Sequence, residues 1–208
     1  MRKKLMAMTM AAVMVATGFC STAVSAKTVE GTSGVNTVCT IQKTVVHTGK
    51  KTKALRAEDV LSKMKKSMKS SYTCDAKLKA EDGISYYGLD KKKVESMAYE
   101  ANSNSSLNMD VAVIVKVKKG YAKTAQKKLQ KGLDQTVDYN KLYDMDGFRV
   151  SQARIFVSGN YVGMFILGKR SSGNAQQQAK QAKSEAAKID KAWKSVFGGK
   201  VKNLAKVS

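Results

Sequence analysis

The chain predicts an α+β fold: a two-layer sandwich with a four-stranded, mainly antiparallel sheet, helices packed on one face, and a strand-strand-helix unit repeated. Three observations lead there. Residues 110–117, Asp-Val-Ala-Val-Ile-Val-Lys-Val, are nearly continuous and β-branched, the pattern of a strand buried on both faces or central in a sheet. Strand patterns come in two pairs, each followed by a stretch in which apolar residues recur every three or four positions. No glycine-rich nucleotide loop follows any strand, which weighs against a Rossmann-type α/β sheet.

The first helix opens at Ala57, where Glu58 and Asp59 suit a first turn, and Val60, Leu61, Met64 and Met68 carry its apolar stripe to Lys69. After Ile84-Ser-Tyr-Tyr-Gly-Leu-Asp90 come two interleaved sets, Glu95, Met97, Tyr99, Ala101 and Val94, Ser96, Ala98, Glu100, read as a strand. Asn102 to Ser106 turns it into a hairpin with 110–117. Gly120 ends that strand, and Ala122, Ala125, Leu129, Leu133 and Val137 step along a second helix whose other side carries Lys123, Lys127, Lys128 and Lys131. Gly132 inside it costs about 1 kcal/mol against alanine, which a close approach to the sheet would offset. Residues 138–149 read as a polar connection. A second hairpin runs from 150–157 through Ser158-Gly159-Asn160 into 161–167, with Gly159 supplying the tight turn. The last helix starts at Ala175 and places Ala179, Ala182, Ala186, Ile189, Trp193 and Val196 on one stripe, with Trp193 as its anchor on the sheet; Gly198-Gly199 stops it.

These elements divide the 208 residues into a signal peptide at 1–26, a weakly structured arm at 27–56, a single α+β domain at 57–199 and a C-terminal tail at 200–208. Arg2, Lys3 and Lys4 precede an apolar run from Leu5 to Phe19, and Val24-Ser25-Ala26 offers a small-residue cleavage site, so the protein is expected to be exported. That run is shorter than the ~20 residues that cross a bilayer. Lipid anchoring at Cys20 fits less well, because Phe19 is a bulky residue next to the cut. After cleavage Cys39 and Cys74 remain, a candidate disulfide worth ~3–4 kcal/mol in a loop-closure estimate, with two free thiols as the alternative. Neither belongs to a CxxC pair.

Catalytic constellations are poorly represented. The single histidine, His47, lies in the arm near Cys39, and Asp134, Asp138, Asp144 and Asp146 have no spacing that fixes a pair of carboxylates. Asp144-Met-Asp-Gly147 fails as a calcium loop, since Leu142 and Ala153 would occupy the first and twelfth positions, where oxygen ligands are required. No cofactor or metal site is expected. Charge is what exceeds background: 38 Lys and Arg against 16 Asp and Glu give a formal net charge of +22. Only five of the basic residues are arginine, which favours diffuse attraction to polyanions over bidentate reading of bases. Lys91, Lys92, Lys93, Lys123, Lys127 and Lys131 are the candidate polyanion-binding residues.

Tyr87-Gly-Leu-Asp90 followed by Val94-Glu95, Asp110-Val-Ala-Val113 with its lysine-punctuated strand, and Gly159-Asn-Tyr-Val162 resemble a family of uncharacterised secreted or lipid-anchored Firmicutes proteins, the domain of unknown function 4358. The resemblance runs from Tyr87 to Phe197. It implies a small exported domain from a Gram-positive bacterium, often a lipoprotein, and implies no activity. This chain departs from the usual member in its lipid-attachment site and in lysines where acids often stand.

The expected function is that of a noncatalytic extracytoplasmic module, secreted or at the cell surface, that associates with anionic wall polymers or lipid headgroups through a lysine-rich face. Nucleic acid is not the expected partner of an exported chain. A secreted hydrolase and an accessory subunit of an exported assembly are the alternatives, the latter calling for an exposed patch of Tyr86, Tyr87, Tyr99 or Tyr161. The sequence names no protein partner and no oligomeric state.

Overall fold

The computed structural model describes residues 54–104, 108–143 and 146–207. Helix α1 (Ala57–Met68) starts where the Arg56 backbone N–H donates to the Asp59 carboxylate at 2.9 Å, and a 3-10 turn (Lys69–Ser71) extends it. Strand β1 (Ala76–Lys77) and helix α2 (Ala80–Tyr86) lead into the hairpin of β2 (Val94–Ala101) and β3 (Val111–Val117). Helix α3 (Ala122–Tyr143) and the single turn α4 (Gly147–Val150) connect it to a second hairpin, β4 (Arg154–Ser158) and β5 (Tyr161–Ile166), and α5 (Ala175–Phe197) follows. All neighbours in the sheet are antiparallel and the strand order is β1-β2-β3-β5-β4, which puts β3 at the centre.

The α+β class and the repeated strand-strand-helix order are those read from the sequence. Two details are corrected. The sheet has five strands rather than four, because Ala76–Lys77 adds a two-residue edge strand too short to show an alternation. The helices cover both faces rather than one. Ala98, Ala112, Ile114, Phe156 and Phe165 point to a core closed by α1 and α5. Met97, Val113, Val115, Ile155, Val162 and Met164 point to a second core closed by α3. The cause is in β3 and β5, where neighbouring residues of both parities are apolar, so that neither face can be left to water.

Smaller departures follow from short elements. Helix α2, which has no counterpart among the elements expected from the sequence, ends with Ile84 to Tyr86, and α3 continues through the connection expected to be polar as far as Tyr143. Strand β4 begins at Arg154 because Gly147–Val150 takes a helical turn that buries Val150. Gly132 makes room for the ring of Tyr87 rather than for the sheet: a Cβ there would stand 2.5 Å from the ring. Residues 200–207 run along the outer side of β4. The Asn203 carboxamide accepts from Ile155 N–H at 2.9 Å and donates to the Ala153 carbonyl at 3.1 Å, and Leu204 N–H donates to the Ile155 carbonyl at 2.8 Å.

Candidate functional site

Two charged regions form at opposite ends of β3. At its C-terminal end, the loop carrying Lys91, Lys92 and Lys93 is tied to the β3–α3 turn by the Lys118 N–H, which donates to the Lys93 carbonyl at 2.8 Å. The Asp90 N–H donates to the Tyr121 hydroxyl at 2.9 Å, and the ring of Tyr87 lies against Gly132. These contacts seat the loop beside the first turns of α3, where Lys123, Lys127 and Lys131 are exposed and Lys128 Nζ approaches Gly88. The six candidate lysines, with Lys118 and Lys119, thus share one end of the molecule, and none of them enters an ion pair with a described residue. Lys65 and Lys116 are different: they pair with Glu100 at 2.8 Å and Glu95 at 3.0 Å. Exposed Lys63, Lys66, Lys183, Lys191 and Lys194 lie on α1 and α5, the opposite layer, so basic charge is not confined to one face.

At the N-terminal end of β3 the charges are buried. Asp110 has no exposed side-chain surface and forms a contact ion pair with Arg149 of α4, itself 5% exposed. Asp146 stands at the start of α4, held where its N–H donates to the Asn140 side chain at 2.8 Å. Its Oδ2 receives Arg170 at 3.1 Å and lies 3.5 Å from Arg149 Nη1. Burial lowers the Arg149 guanidinium to about 10, with the Arg170 charge adding to the effect. Burial likewise pushes the Asp146 carboxyl up, against the pull of Arg170. Glu185, 1% exposed in its side chain, is paired with Lys188 at 2.7 Å. A cavity of about 650 Å³ opens over this cluster, between α4, the loop after β5 and α5.

Sequence reasoning missed Asp110 and Arg149 as a pair. Asp110 was visible only as the first residue of a strand, and Arg149 only as a charge in a polar connection; their meeting is tertiary. Asp134 and Asp138 are exposed on α3, and among the described residues Asp146 is the acid that lines the cavity, engaged there by Arg149 and Arg170. No group of three or more His, Cys, Asp or Glu gathers among the described residues to hold a metal. Cys74 is a buried free thiol, and burial raises it to about 12. The export signal, Cys20, Cys39, His47 and Asp144 lie outside the described residues, and with them the proposed bridge. Among the described residues no helix is long and apolar enough to cross a membrane. Of the tyrosines named for partner recognition, Tyr86 is exposed, Tyr87 is buried, and Tyr99 and Tyr161 are half-buried.

An open antiparallel sheet flanked on both faces by helices, with an uncompensated lysine end and a buried ionic end, defines the class of domain. Residues 76–167 match the family described as Domain of unknown function (DUF4358). The matched segment begins before Tyr87 and ends before α5: it holds all five strands and α3, whereas the α1/α5 layer lies outside it. No curated protein and no solved structure matches the chain.

Proposed function

We propose that this protein is a noncatalytic, exported module that associates with anionic cell-envelope polymers or lipid headgroups through its lysine end. The observation that carries the reading is the convergence of two lysine groups distant in sequence, 91–93 and 118–131, on one end of the domain without internal counterions. Buried or paired lysines would have spent their charge internally, as Lys65 and Lys116 do. Exposed ammonium groups on flexible stems attract an irregular polyanion without needing a fixed geometry.

Cosedimentation with purified cell walls at about 0.05 M and 0.5 M salt tests this, because screening and loss of counterion release weaken diffuse attraction steeply. Changing Lys123, Lys127 and Lys131 together to Gln should lower the bound fraction at low salt, while no single change abolishes it. Absence of binding at low salt, or tight binding indifferent to both salt and the triple change, would overturn the proposal.

A further inference from the structure

We propose that the cavity at the other end of the sheet binds a small organic anion, a phosphate or carboxylate carried on a ring or other apolar group. The inference does not rest on the lysine end, which lies at the opposite end of β3.

Among the described residues, three cations, Arg149, Lys169 and Arg170, line the cavity with one carboxylate, that of Asp146, and the Asp110 carboxylate behind Arg149 brings the balance to one positive charge. Arg149 is held from behind by Asp110, whose side chain is wholly buried, so this guanidinium is fixed in place before any ligand arrives. A buried ion pair is a poor device for stability, because desolvation of both charges offsets much of their attraction and an apolar pair of similar volume does as well. Its position beneath an open cavity of about 650 Å³ is the arrangement expected of a fixed positive charge that receives an anion. Lys169 and Arg170 stand at the exposed rim, where they draw the anion in. Asp146 bridges Arg149 and Arg170, which keeps the two guanidinium groups on one side of the cavity. Phe148, exposed on α4 and lining the same cavity, supplies an apolar face for the remainder of the ligand, and the volume is in the range of small-molecule sites.

The test is an NMR titration of the isotopically labelled protein with two probes, inorganic phosphate and phenyl phosphate. Saturable shifts confined to residues 146–151 and 169–178 are expected for both, with phenyl phosphate binding at least about threefold tighter through its ring. Lys169→Gln combined with Arg170→Gln should weaken both probes about tenfold, the scale of losing charge-assisted contacts. Phe148→Ala should remove the advantage of phenyl phosphate alone. Lys123→Gln, Lys127→Gln and Lys131→Gln together should leave both constants unchanged, which separates this site from the lysine end. No saturable shift with either probe up to about 10 mM, a range that covers weak millimolar binding, would overturn the proposal. Shifts spread over the exposed lysines of the wild-type chain would overturn it as well.

Discussion

Trp193 is 2% exposed, and its ring is surrounded by those of Phe156, Phe165 and Phe197 at centroid distances of 5.2, 6.0 and 4.4 Å. Its Nε1–H donates to the Ser158 hydroxyl at 2.9 Å, so the one polar atom of the ring is satisfied where it is buried. Gly163 on β5 leaves the space: a Cβ there would stand 2.7 Å from the indole. Trp193→Ala removes the centre of this aromatic cluster and orphans Ser158. A loss of about 3–5 kcal/mol is expected, read as a lower midpoint in urea unfolding. An unchanged midpoint would show that the ring contributes nothing to the fold. This anchor was legible because it continues a helical stripe that is buried from Ala182 to Trp193, Ala179 being exposed, whereas Arg149 was not. A lone arginine in a polar stretch looks the same whether it faces water or a buried aspartate forty residues away in the chain, about the separation from Asp110.

The outer edge of β4 is finished by the chain's end rather than by another strand. Two carboxamides hold that end: Asn203 pairs with the backbone of residues 153 and 155, and Gln130 of α3 pairs with both backbone groups of Lys206, at 2.8 and 2.9 Å. Leu204 and Val207 pack against the α3 core. Ending the chain after Gly199 should cost about 2–4 kcal/mol, from several hydrogen bonds of about 1 kcal/mol each and the lost apolar contacts. It should also leave an unpaired edge open to pairing between molecules, seen as concentration-dependent association in analytical ultracentrifugation. A truncated chain that stays monomeric with an unaltered thermal midpoint would contradict this role. The element order was readable because each long helix and hairpin carries its own period. The layering was not: apolar residues of both parities in β3 say that both faces are covered, but not which helix covers which. The docking of residues 200–207 was equally hidden, since it depends on amide side chains whose partners are backbone atoms.

With a formal net charge of +22, the whole molecule repels itself, and the exposed lysines of α1, α3 and α5 place that charge on both layers and at one end of the sheet. Screening should relieve this strain, so the thermal midpoint should rise by several degrees, about the effect of 1 kcal/mol, when sodium chloride goes from ~0.01 to ~0.3 M. A midpoint that falls with salt would mean that surface ion pairs such as Arg154–Asp190 outweigh the repulsion. The pairing of β3 has a consequence for how the chain is made. One side of β3 is satisfied by β2, its predecessor, but the other waits for β5, which the ribosome delivers only after α3, α4 and β4, and the α5 cover comes later still. Until residue 197 has emerged, the nascent chain carries an open strand edge and a half-covered apolar face, so its safe passage to the native state depends on the speed with which the last third arrives or on a holdase that shields what precedes it.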